Sequence, residues 1–146
     1  MTVTTFSFKE MFRRLLSAEG RSRAAKAVEV FGWLILVESI VMVFAPHIVV
    51  DLLRIPSITG QGENYFRLAG MLVGGLGMLY IVSGRLNSAE FVFASLLDRP
   101  LVPVVMAVLW YLSIIPGALA LAFSIQDLGS FLLTLAALRK DGRSRK

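Results

Sequence analysis

Hydrophobic and polar positions follow two different rhythms along this chain. Near its start, Phe8, Met11, Phe12, Leu15 and Leu16 recur at the i, i+3, i+4, i+7, i+8 spacing of one helical face, while Lys9, Glu10, Arg13 and Arg14 fall on the other. This pattern predicts an amphipathic helix. Ser7 followed three residues later by Glu10 fits a capping box, and Gly20 is a plausible stop. Phe and Leu opposite Arg and Lys suit a helix lying at an anionic membrane surface, with Phe8, Phe12, Arg13 and Arg14 as its contacts. Packing on the protein's own cytoplasmic end is the other use of such a face.

From residue 25 the two-faced pattern gives way to apolar runs of about twenty residues, the length that crosses a hydrocarbon core of about 30 Å. Four spans are predicted, at 25–45, 65–83, 91–115 and 117–138. Pro116 and Gly117 read as a tight turn, because one helix over 101–123 would leave too little chain to cross again before residue 138; a kink at Pro116 in a longer third span is the alternative. Between the first two spans, Val49, Val50, Leu52, Leu53 and Ile55 surround Asp51 and Arg54 and suggest a short interfacial helix ended by Pro56. The expected fold is therefore all-α. A four-helix integral membrane bundle occupies 25–138, after an amphipathic juxtamembrane segment at 1–24 and before a basic cytoplasmic tail at 139–146.

Composition sharpens this picture. A mean hydropathy of +0.73 with only 17% charged residues excludes an ordinary soluble domain. Cys is absent, which removes disulfides, thiol redox catalysis, zinc ribbons and cysteine-ligated clusters. His47 stands alone beside Pro46 at a span end and reads as an interfacial residue, so no haem, metal or other cofactor is expected. The net charge of +5 could suggest nucleic acid, but the basic residues sit at the two ends: Lys9, Arg13, Arg14, Arg21, Arg23 and Lys26, then Arg139, Lys140, Arg143, Arg145 and Lys146. Membrane orientation explains them better. Both ends then lie inside, which demands an even number of spans and leaves the segment 46–64, with Arg54 as its one basic residue, outside. No cleavable signal peptide is legible, so the first span is expected to serve as its own insertion signal.

Ionisable residues inside the spans are the candidate chemistry. Glu38, Arg67, Arg99 and Asp127 interrupt apolar segments, and a charge in hydrocarbon costs at least a few kcal/mol unless it is paired or functional. Arg67 shares one helical face with Gly70, Gly74, Gly77, Ile81 and Gly84, a spacing that lets helices approach closely. That face looks inward, yet Arg67 lies only about a turn from the outer end and can equally reach the headgroups. On the fourth span Ala120, Ser124, Asp127 and Thr134 form a small, polar stripe with Ser130 beside it. Asp127 and Glu38 fall near the midplane and Arg99 within reach of that level, so two acids and two arginines would make a neutral cluster. Glu29 and Asp98 lie nearer the cytoplasmic surface and are expected to be solvated or snorkelling.

The stretch Arg67, Leu68, Ala69, Gly70 through Leu79 and Tyr80 to Arg85, and the closing run from Asp127 to Thr134, Leu135, Leu138 and Arg139, resemble the small bacterial four-helix BphX-like and DoxX-like membrane proteins. The resemblance covers most of the chain beyond residue 25 and leaves out the amphipathic extension. It implies an inner-membrane protein, of a kind sometimes associated with catabolic or oxidoreductase systems, and transfers no active site. The redox roles attached to some DoxX-like proteins would need cysteines or a haem ligand pair, which this chain lacks. Two functions compete: binding or translocating a small hydrophobic or charged ligand through the polar cluster, and a non-catalytic accessory role that binds lipid, a membrane protein partner or a second copy. Small multidrug transporters also place a Glu in the first of four spans, as Glu38 is, without matching the rest. An enzyme ranks third, because Walker A, H-E-x-x-H, nucleophile-elbow and Rossmann motifs are all missing.

Overall fold

The computed structural model describes residues 7–143, so Arg145 and Lys146 of the expected tail lie outside the described residues. Among the described residues, seven helices follow in order: α1 (Phe8–Ser17), α2 (Arg23–Phe44), α3 (Pro46–Leu52), α4 (Gln61–Arg85), α5 (Ala89–Asp98), α6 (Leu101–Tyr111) and α7 (Gly117–Arg143). Their boundaries have local causes. The Ser22 hydroxyl accepts from the Ala25 amide at 3.0 Å to start α2, and Ser88 does the same for Phe91 at 3.2 Å to start α5. Pro46 stands at the first turn of α3, where a missing N–H costs nothing. Pro100 separates α5 from α6 by removing a helical donor, and the chain continues across the break in the same direction.

Four helical units, α2, α4, the α5–α6 pair and α7, are long and apolar enough to cross a membrane. They make an all-α four-helix bundle in a multi-pass membrane protein. Several edges differ from the sequence expectation. The third span stops at Tyr111, not 115, and the turn takes 112–116 with Ser113 at a φ of 58°. α7 runs on through Arg139 and Lys140 to Arg143, so the start of the expected tail is helix. The capping box of α1 does not form. Ser7 makes no side-chain cap, the Glu10 carboxylate turns to Arg13 and Arg14 instead, and the helix ends at Ala18 in the left-handed region, before Gly20.

Packing is tightest between α2 and α4, where backbone meets backbone. A Cβ on Gly77 would stand 3.0 Å from the Gly32 carbonyl oxygen, one on Gly32 would stand 2.7 Å from the Ile81 nitrogen, and one on Gly84 would stand 2.7 Å from the Ala25 carbonyl oxygen. Gly70 faces Met42 and Val43, and Gly74 faces Ser39. Only small residues permit such an approach. The core beside this seam gathers Ala24, Ala25, Val28, Phe31, Ile35, Tyr80 and Val92, with edge-on aromatic contacts from Phe31 to Tyr80 at 5.3 Å and from Tyr80 to Phe91 at 4.9 Å. It lies in the half of the bundle that ends in basic residues. α6 is the outlier: apart from its junction with α5 it packs on α7 alone, and no backbone approach links it to α2 or α4 among the described residues.

Candidate functional site

The gap between α6 and the α2–α4 pair is a half-open cavity. It measures about 530 Å³ in the half of the bundle away from the basic ends, and its walls come from Val37, Val41 and Met42 of α2, Phe66 of α4, Met106 and Leu109 of α6, and Leu119 and Phe123 of α7. Ile48, Val49 and Leu52 of α3 also line it. α3 is held there by its buried Pro46 and Val50, while Ile48 and Leu52 stay largely exposed. Among the described lining residues, Glu38 and Gln126 alone have polar side chains.

These two polar groups bond to each other. Gln126 Nε2 donates to Glu38 Oε2 at 3.0 Å, which ties α2 to α7 and satisfies one acceptor of an acid that would otherwise face an apolar wall. The other oxygen, Oε1, has no partner among the described residues. Such a site can grip an apolar body by its walls and hold one donor-bearing group at a fixed point.

The four ionisable residues singled out in the sequence do not meet in one place. Arg67 stays at the end away from the basic residues, where Nη2 donates to Glu63 Oε1 at 2.6 Å and Nη1 to the Val43 carbonyl. His47 lies 3.6 Å from the same Glu63, so this group fastens the start of α4 to the turn between α2 and α3. A Glu one helical turn before Arg67 reaches it more cheaply than any acid on another span.

Arg99 and Asp127 sit deeper. Arg99 is wholly buried, donates Nη1 to Thr134 Oγ1 at 2.9 Å and lies over the rings of Phe31 at 4.2 Å and Tyr80 at 5.1 Å. Its Nε and Nη2 have no hydrogen-bond partner among the described residues. Asp127 is 8% exposed and within electrostatic range of Arg99, Glu38 and Asp98, but it forms no salt bridge with Arg99. The hydroxyls of its stripe turn back on their own helix: Ser124 donates to Ala120 O, Ser130 to Asp127 O and Thr134 to Ser130 O.

One charged group escaped the sequence reading. Glu29 is buried, not solvated or snorkelling, and pairs with both Arg21 and Arg85, the latter at 2.9 Å. Trp33 Nε1 donates to it as well, at 3.4 Å. The signal was present, since Glu29 falls one turn from both Ala25 and Gly32 on the small-residue face that meets α4. Gln126 carries no comparable sequence signal, because a neutral amide in a span costs less to bury than a charge and so marks no site until its bond to Glu38 is seen. No protein-family model, curated protein or solved structure matches this chain. What the fold and site define is a class: a four-span helical membrane protein with an apolar intramembrane cavity and one carboxylate–amide pair in its wall.

Proposed function

We propose that this protein binds a small lipophilic ligand within the membrane, in the cavity between α2, α3, α6 and α7. The carrying observation is the cavity's size and chemistry: about 530 Å³ with apolar walls and a single polar pair, within the roughly 300–1,000 Å³ of small-molecule sites. The ligand class that fits is an apolar body with one hydrogen-bond donor, an amine or hydroxyl, for the open acceptor on Glu38. By the bias of Lys and Arg toward the cytoplasm, both termini are inside and the cavity occupies the outer half of the membrane. A bacterial inner membrane follows from the resemblance to BphX-like and DoxX-like proteins.

The accessory reading keeps one observation in its favour, which is that no residue of α6 is buried, leaving that helix free to meet a partner's spans.

The test is thermal unfolding of the purified protein in detergent against aromatic amines, aromatic alcohols, quinones and lipids. A compound at a hundred times its Kd adds about 2.7 kcal/mol to the stability of a state it alone binds. At least one compound should raise the unfolding temperature, and the shift should vanish in Ala122→Trp, since Ala122 of α7 also lines the cavity and an indole there fills it. Donor-bearing compounds should lose most of theirs in Glu38→Gln. A panel without a single shift would end the ligand reading and favour the accessory one.

A further inference from the structure

The apolar face of α1 is left bare by the rest of the fold. None of its residues is buried, and Phe8, Phe12 and Leu16 are 84%, 52% and 65% exposed. The helix is nevertheless held in place. Arg85, at the end of α4, donates Nη1 to the Leu15 carbonyl at 3.3 Å, and Arg21 donates to the Ala18 carbonyl at 2.6 Å while pairing with the buried Glu29. The Ser22 amide donates to Asn87 Oδ1 at 3.0 Å, and the Ala24 amide to Asp141 Oδ2 at 3.1 Å. Five residues, 18–22, separate α1 from the first span, so α1 is stapled where α2 and α4 leave the apolar zone.

We infer that α1 docks on an anionic lipid leaflet, with Phe8, Phe12 and Leu16 among the acyl chains and Lys9, Arg13 and Arg14 among the headgroup phosphates. Charge complementarity selects this occupant. Residues 8–26 hold six basic side chains against two acids, Glu10 and Glu19. Glu10 is itself covered by Arg13, through paired bonds of 2.9 Å, and by Arg14 at 3.1 Å. The Arg13 guanidinium first, and then Arg14, holds the Glu10 carboxyl below its ordinary range, so it stays ionised and masked instead of repelling phosphate. Continuity adds to this, because the spans themselves place a bilayer surface beside α1. The cavity plays no part in the inference, which stands or falls apart from the ligand reading.

The absence of cysteine makes the test clean. The full chain carrying Phe12→Cys with a spin label is reconstituted in vesicles of phosphatidylcholine alone and of phosphatidylcholine mixed with phosphatidylglycerol, and collision with oxygen is compared with collision with a water-soluble nickel chelate. The label should favour oxygen, and more strongly in the anionic vesicles. Each basic side chain at an anionic surface is worth about fivefold in partition, or about 1 kcal/mol. Replacing Lys9, Arg13 and Arg14 with Gln should therefore erase the dependence on phosphatidylglycerol. A label that favours the chelate in both vesicles would overturn the inference by leaving α1 in water, and one shielded from both reagents would show that protein, a second copy included, covers the face.

Discussion

The Arg99 guanidinium carbon lies over the ring of Phe31, 4.2 Å from its centroid, with no water-exposed surface of its own. The same guanidinium lies 5.1 Å from the Tyr80 ring of α4 and reaches α7 through Thr134, so one buried cation joins the α5–α6 break to three other spans. Pro100 makes this possible by interrupting the helix at the residue after Arg99. Cations gain more from an aromatic face once water is excluded, which explains why an arginine survives here without an acid in contact.

Because two of its nitrogens lack partners, Arg99 depends heavily on the bond it does make. Thr134→Val should lower stability by about 1.5–3 kcal/mol, the range for a hydrogen bond to a charged group, whereas Thr134→Ser should stay near wild type. Reversible unfolding in mixed micelles measures both. A valine variant as stable as wild type would show that the Thr134 contact is not what holds Arg99.

The glycines of α4 should divide sharply. Gly77→Ala and Gly84→Ala drive a methyl group against backbone of α2 and should cost about 1–3 kcal/mol each, the usual range for overpacking. Gly75→Ala meets open space on the same helix and should be neutral or stabilising by up to about 1 kcal/mol, from helix propensity alone. Equal effects at Gly75 and Gly77 would contradict the α2–α4 seam.

Glu29→Gln should be the most damaging exchange at the basic end, since it leaves Arg21 and Arg85 facing each other across a neutral amide. Breaking a buried pair costs about 3–5 kcal/mol, and the lower end applies because both arginines keep some solvent access. A second readout is local. Freed from Glu29, residues 18–22 should exchange amide hydrogens faster, while amides at the cavity end of α2 keep their protection. Unchanged exchange at 18–22 would mean that the pairing does not staple α1.

Much of the candidate site was visible in the chain before it was folded, though not its arrangement. Glu38 and Asp127 stand out because acids are rare in apolar runs, and the glycines of α4 align under simple helical periodicity. Neither signal tells which groups touch. Arg67 found Glu63 on its own helix, Glu38 found the amide of Gln126, and Arg99 found aromatic rings, so the neutral four-charge cluster gave way to three separate groups. Arg67 and Glu38 took partners close at hand, while Asp127 is left with the field of Arg99 and no direct pair, because nearness across helices depends on rotation and depth that periodicity leaves open.

The chain by itself determined the number of spans, the all-α class, the amphipathic character of α1 and the small-residue face of α4. These follow from hydrophobic period and length, properties that each segment owns alone. Tertiary structure decided which helix the glycines meet, that Glu29 is buried between two arginines, and that α6 stands away from α2 and α4. The cavity exists for that last reason. An empty space belongs to no single residue, and it appears only when helices of fixed length are packed by their tightest contacts and the loosest one is left aside.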